Sequence, residues 1–424
     1  MNRICYSFLL YLLTPILLIY LTIRAIKSAD YRGRWGERFG LTKLRATDIL
    51  LHSVSMGETQ AAIPFIKAIQ QQYPQFSITV TTTSPTGSQL VQKALGDSVQ
   101  HCYLPFDLPL CIRRFLRQVQ PQLLIVMETE LWPNLLHQAK QRGSHIVLAN
   151  ARLSAKSAAG YQKWAKLSGP MLQQLDAIAV QTAEEAERFI RLGVAADKVQ
   201  VCGSLKFDLS LDSAKLAPYL ALKQQWQRSI VWVAGSVHPG EFEAVLACHQ
   251  QILQRWPDAL LIMVPRHPEQ FDNAANTIKN TGLSVVRRSA QQPVIETTQV
   301  LLGDTMGEML GWYACGDLAF VGGSLIVMGG HNSLEPAALG LPILQGPNYR
   351  DFLEISNCLQ QQGAMQIVAN GDEMARAALA LLSDPQQQAQ AGNAGLAVVE
   401  RNRGTLQRQF AVVAPWLEQL AQHH

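Results

Sequence analysis

The sequence predicts an α/β protein of two doubly wound, Rossmann-like halves behind an apolar N-terminal helix, and three observations carry this. Short apolar runs recur along the chain with helix-length stretches between them, the pattern of a parallel sheet covered by crossover helices. The 424 residues, 48% hydrophobic and 16% charged, exceed what one core organises and are too apolar for a disordered chain. Residues 4–23 carry no charge, and twenty helical residues reach about 30 Å, the thickness of a bilayer's hydrocarbon.

The apolar run Ile4 to Ile23 reads as a retained anchor rather than a cleaved leader. It outlasts a signal peptide's apolar region and passes into Arg24, Ala25, Ile26 and Lys27 instead of a small-residue cleavage site. Arg24, Lys27, Arg32, Arg34, Arg38, Lys43 and Arg45 follow, against Arg3 alone before the run, so the positive-inside rule puts the body on the cytoplasmic side. With Trp35 and Phe39 interleaved, this basic stretch suits either an anionic lipid surface or a solvated linker.

Strands of the first half are expected at Ile49–His52, Phe76–Thr82, Val99–Tyr103, Leu123–Met127, His145–Ala149, Ala177–Val180 and Val199–Cys202. A second series is expected at Ile230–Ala234, Leu260–Val264, Leu283–Val286, Val300–Leu302, Leu318–Val321 and Ile343–Leu344. Residues 209–228 hold no strand-like run, carry Asp212, Lys215 and Pro218, and read as a linker with one short helix. The expected division is an anchor (1–30), a first domain (31–208), the linker (209–228) and a second domain (229–424). Open α/β sheets bind ligands beyond the carboxyl ends of their strands, which puts the working residues in a cleft between the halves.

Thirty-six basic against 32 acidic residues give a net charge of +4, too mild a field for a nucleic-acid partner. The seven cysteines form no CxxC and stand at no metal-ligand spacing with histidine, so they read as reduced, buried thiols in a cytoplasmic body. Neither GxxxxGK[ST] nor DxD occurs, and no GxGxxG follows the first strand, which argues against P-loop and dinucleotide chemistry. It also removes the usual carboxylate pair that holds a divalent ion on a nucleoside diphosphate, so no metal or cofactor is expected.

Several strand ends carry residues suited to chemistry. In His52-Ser-Val-Ser-Met-Gly-Glu58, Glu58 falls at a helix N-terminus, either as a capping glutamate or as a base whose ionised form the helix dipole favours. Glu128-Thr-Glu130 places two carboxylates on one side if the strand continues through them; they need a cation or hydrogen bonds. Lys206, in Gly203-Ser-Leu-Lys206, offers a cation for a phosphate or carboxylate, or is simply solvated. Arg266-His267, stiffened by Pro265 and Pro268, suits a phosphate, as do the turns at Gly235-Ser-Val-His238, Met306-Gly307-Glu308 and Gly322-Gly-Ser324. In Gly329-Gly-His-Asn332-Ser333-Leu334-Glu335, Asn332 and Glu335 form a capping box; Glu335 is then a cap or an acceptor for ribose hydroxyls.

These motifs, HSVSMGE, TTTSPTG, YLPFD, METELWPN, NARLS, CGSLKFD, PRHP, TMGEM and GGHNSLEPA, resemble the bacterial lipid A 3-deoxy-D-manno-octulosonic acid (Kdo) transferase family over the whole chain. The resemblance implies the GT-B glycosyltransferase fold, its two domains facing across a cleft and its last helix able to pack back on the first domain. It implies inverting transfer of Kdo from CMP-Kdo to a lipid A precursor at the cytoplasmic face of the inner membrane. It also implies roles: Glu58 as general base, Glu128 and Lys206 as transition-state stabilisers, and Arg266, His267, Met306, Gly307, Glu308 and Asn332, Ser333, Leu334, Glu335 as the CMP site. Arg152, in NARLS, is a candidate for a lipid A phosphate or a surface ion pair. A nucleotide-sugar epimerase or hydrolase of the same fold would share the donor motifs but has little use for an anchor. A tethered nucleotide-binding scaffold would not need Glu58.

Overall fold

The computed structural model describes residues 2–27, 31–209 and 211–422, so the readings at Met1, residues 28–30, residue 210 and residues 423–424 lie outside the described residues. The chain forms two compact units, one of residues 1–206 with 404–424, the other of residues 207–403.

The first unit holds a seven-stranded sheet of β1 (Ile49–His52), β2 (Ile78–Thr82), β3 (Gln100–Tyr103), β4 (Leu123–Met127), β5 (His145–Ala151), β6 (Ala177–Val180) and β7 (Val199–Val201). Their order is β3-β2-β1-β4-β5-β6-β7, and every pair is parallel. Central strands covered on both faces are apolar throughout, not alternating. In β1 the two-residue period sends Ile49 and Leu51 to the core face with Phe65 and Ile66, and Leu50 to the opposite face with Phe115 and Leu135. Helix Thr405–Ala421 belongs to this unit: Val412, Val413 and Leu417 join the Ile49 face, and Phe410 meets Phe65 edge to face at 6.1 Å.

The second unit repeats the plan with β8 (Val231–Val237), β9 (Leu260–Pro265), β10 (Val285–Arg287), β11 (Val300–Leu302), β12 (Leu318–Val321), β13 (Ile343–Gln345) and β14 (Met365–Ile367), in the parallel order β10-β11-β9-β8-β12-β13-β14. No apolar run marks β14 in advance, three residues with an exposed Gln366 at the sheet's edge. The helix expected within residues 209–228 is longer than a short one. Within the second unit they form the 14-residue helix Ser213–Trp226, held by the Tyr219 ring edge-on to Trp312 at 5.1 Å and a 2.6 Å Lys223–Asp317 ion pair. Gly311 makes room for it, since a Cβ there would lie 2.5 Å from the Tyr219 ring.

At the N-terminus a single helix, Arg3–Lys27, contains a stretch apolar and long enough to cross a membrane.

Candidate active site

The first unit gathers three carboxylates and an ammonium beyond β1, β4 and β7. Helix Met56–Gln72 starts with a complete capping box, in which the Ser55 hydroxyl accepts the Glu58 N–H and the Glu58 carboxylate turns back over the N-terminus. Its Oε2 accepts the Val54 N–H at 2.7 Å, and Oε1 accepts the Ser55 hydroxyl at 2.8 Å and the Ser55 N–H at 3.3 Å. A carboxylate has about four lone-pair sites, so Oε2 retains capacity for a further proton. Glu58 is buried, and burial is the largest influence on its pKa, raising it above the ordinary carboxylate value. Repulsion from Glu128 adds to this, and the hydrogen bonds from Val54 and Ser55 offset it only in part. Against the dipole's preference for the ionised form, desolvation wins, so Glu58 holds a proton more readily than a surface glutamate.

β4 ends at Met127, so strand alternation does not extend to the next two acids. Glu128 adopts φ 55°, a left-handed conformation that a non-glycine residue holds only under local constraint. Its N–H still reaches the Ala149 carbonyl at 2.9 Å, and its Oε1 meets Lys206 Nζ at 2.6 Å. Glu130, beyond the same turn, has no role assigned to it from sequence. Burial first, then repulsion from Glu58 and Glu128, push its carboxyl up to about 7. The Thr129 hydroxyl donates to the Arg152 carbonyl, fixing this turn to the end of β5, while the Arg152 side chain is exposed.

Lys206 is placed by a relay the sequence hides. Asn150, at φ 52° in the β5 irregularity, accepts the Leu205 N–H on Oδ1 at 3.0 Å. Its own N–H donates to Gln409 Oε1 at 2.7 Å, and Gln409 Nε2 donates to the Gly203 carbonyl at 3.1 Å. Arg408 Nε donates to the Cys202 carbonyl at 2.8 Å, so the C-terminal helix clamps the loop that carries the lysine.

The second unit builds a cationic, imidazole-rich patch. The Arg266 N–H reaches the Val237 carbonyl at 2.9 Å, leaving its exposed guanidinium beyond β9. His238 and His331 lie edge to edge, their rings 5° from parallel and hydrogen-bonded Nε2 to Nε2 at 2.9 Å, and His238 meets His267 edge to face at 5.2 Å. Burial, then the neighbouring His238, Arg266 and His267, hold His331 down to about 4, so it is a neutral imidazole at pH 7. The fully buried Glu241 ties the patch together, accepting N–H groups from His238, Gly323, Ser324 and Leu325 at 2.7 to 3.0 Å. Gly329 has φ 96°, and a Cβ there would collide with the Asp351 carboxylate.

The expected Asn332–Glu335 capping box does not form, because the helix starts one residue later and its N-cap makes no side-chain cap bond. Ser333 is the N-cap of the short helix Leu334–Ala338, Asn332 Oδ1 accepts the Leu334 N–H at 3.1 Å, and the Asn332 amide bonds Glu335. Burial raises Glu335, against the attraction of Asn332 and Arg266. Ser333 and Leu334 are buried, Leu334 among Val321 and Ala337. Met306 is 61% exposed and Gly307 has φ 85°. The Glu308 carboxylate is engaged by Arg288 at 2.9 Å, Tyr219 at 2.7 Å and the Thr305 hydroxyl. Burial pulls its pKa upward, but these bonds together outweigh it and hold Glu308 below the ordinary range.

Two Rossmann-like parallel-sheet units, each with titratable side chains gathered beyond its strand ends, have the architecture of a glycosyltransferase of the GT-B fold. A crystal structure of Acinetobacter baumannii MurG shares this fold, with a TM-score of 0.53 at 10% identity over 87% of this chain and 99% of that one. Residues 33–209 match the family model described as 3-deoxy-D-manno-octulosonic-acid transferase (kdotransferase). The 3-deoxy-D-manno-octulosonic acid transferase of Haemophilus influenzae is 42% identical over 99% of both chains, and that of Bordetella pertussis 33% identical over 98% of this chain and all of its own. The chain belongs to the Kdo transferase family.

Proposed function

We propose that the protein transfers Kdo from CMP-Kdo to the lipid A precursor lipid IVA, with inversion, at the cytoplasmic face of the bacterial inner membrane. The first unit serves the acceptor and the second the donor. Glu58 takes the proton of the acceptor hydroxyl as its oxygen attacks the anomeric carbon of Kdo. The bond from that carbon to the phosphate oxygen breaks, and CMP leaves with the electron pair. Attack opposite to the leaving group inverts the centre. Lys206 and Glu128 stabilise charge in the transition state, while Arg266, His267, the 306–308 turn and the 332–335 segment hold CMP.

The observation that carries this reading is the buried Glu58, its pKa raised, beside the Glu128–Lys206 pair. A phosphate monoester leaves without the charge neutralisation a diphosphate demands, which suits Arg266 and backbone N–H groups. The test is incubation of the full chain in detergent with CMP-Kdo and lipid IVA. Acceptor-dependent CMP release, with an inverted glycosidic bond by NMR, is expected. CMP release without acceptor would favour a hydrolase.

A further inference from the structure

The positive-inside reading puts Arg3 across the bilayer from the body, but the structure ties that end of the helix to the body. Arg3 Nη1 donates to Asn134 Oδ1 at 3.1 Å, and the Ser7 hydroxyl reaches the same oxygen at 3.1 Å. Tyr6 bonds the buried Asp107, whose carboxylate also caps the helix Pro133–Gln141 through the Asn134 and Leu135 N–H groups. One turn further on, the Tyr11 hydroxyl accepts the Leu110 N–H at 3.3 Å.

The shielded positions are Arg3, Tyr6, Ser7, Leu10, Thr14, Leu17 and Leu21, one helical stripe that runs nearly the whole length. Opposite it, Ile4, Phe8, Leu12, Ile16, Ile19 and Ile23 are 46 to 73% exposed. A helix crossing a bilayer is surrounded by lipid along its span and carries its ends to opposite sides. One docked along a soluble body keeps both ends on the body's side.

We infer that helix Arg3–Lys27 lies in the membrane surface, docked by one face to the first unit and pressing its opposite apolar face into lipid, rather than spanning the bilayer. Charge supports the occupant. Leu110, which meets Tyr11, shares the exposed face of its helix with Arg113, Arg114 and Arg117, and Arg24 and Arg32 are exposed at the other end, so cations flank the apolar stripe as an anionic lipid surface requires. The inference rests on the membrane attachment proposed above and is independent of the transfer chemistry.

The test uses the full chain reconstituted in phosphatidylethanolamine–phosphatidylglycerol vesicles. Among the native cysteines only Cys5 and Cys358 are not buried, and both are replaced by serine. Asn2→Cys is compared with the exposed body position Lys156→Cys for reaction with a membrane-impermeant maleimide, before and after detergent lysis. Equal labelling of the two before lysis is expected, as is cross-linking of Tyr11→Cys to Leu110→Cys by a short bismaleimide in the bound state. Labelling of Asn2→Cys only after lysis while Lys156→Cys reacts before it, or no cross-link, overturns the in-plane helix. Protein that does not sediment with the vesicles overturns the membrane attachment and this inference together, while transfer in detergent remains a separate question.

Discussion

Glu128 and Lys206, separated in the chain by β5, β6 and β7, meet in a 2.6 Å ion pair at the carboxyl ends of β4 and β7. Glu128 reaches it from a left-handed backbone. Lys206→Ala and Glu128→Ala should each lower kcat by about 10² to 10³, the cost of one electrostatic stabiliser. The double variant should be little worse than either single one, because the two act as a unit. Steady-state kinetics on the four enzymes checks this; strict additivity would separate their roles.

Gln409 holds that lysine from the far end of the chain. Gln409→Ala leaves the buried Asn150 N–H and Gly203 carbonyl unpaired, a loss of about 2 to 4 kcal/mol of stability. Because the loop carrying Lys206 loosens, kcat should fall while KM for CMP-Kdo stays near wild type. Gln409→Glu, which accepts from Asn150 but cannot donate to Gly203, should recover part of both. Denaturant melts with kinetics of the three proteins decide it.

Arg266 is the exposed cation of the second unit's patch, acting on His238, His331 and Glu335. Arg266→Ala should weaken CMP and CMP-Kdo alike by about 1.5 to 3 kcal/mol, or roughly ten- to a hundredfold. Calorimetric titration with CMP is the check, and unchanged affinity would remove Arg266 from the site.

Glu130 should cost stability in a pH-dependent way. In the folded protein it titrates near 7 against an ordinary 4.5, so its contribution to stability is complete below 4.5 and is lost as pH rises through about 7. Glu130→Gln removes that loss. It should therefore be more stable than wild type at pH 8 by about 1 kcal/mol, a value discounted for the group's partial exposure, and no more stable at pH 4. Thermal melts across this range test the sign.

The strands were legible because buried parallel strands are short, continuous apolar runs; β1, β4, β6, β11 and β12 begin and end where those runs do. The place of Glu58 in the first turn of a helix was legible because that signal is local. What escaped depends on contacts between distant segments or on backbone conformation. Alternation does not reach Glu130, because Glu128 leaves the strand conformation. The Nε2–Nε2 hydrogen bond between His238 and His331, the four N–H groups on Glu241 and the hold of Gln409 on Asn150 each join loops far apart in sequence. Residues 209–228 read as a linker with one short helix because they hold no strand-like run; what ties that helix to its unit, Tyr219 meeting Trp312 and Glu308, joins segments far apart in sequence.

The central claim is that Glu58 takes the acceptor proton, and single-turnover Kdo transfer by wild type and Glu58→Gln, followed from pH 5 to 9, tests it most directly. The amide fills the same space but cannot accept the proton, so the rate should fall about 10² to 10⁴ with CMP affinity unchanged. In wild type the rate should drop as acid protonates a carboxyl whose pKa lies above the ordinary glutamate value, and that acid limb should vanish in Glu58→Gln. A variant with near wild-type rate and the same acid limb would contradict the account.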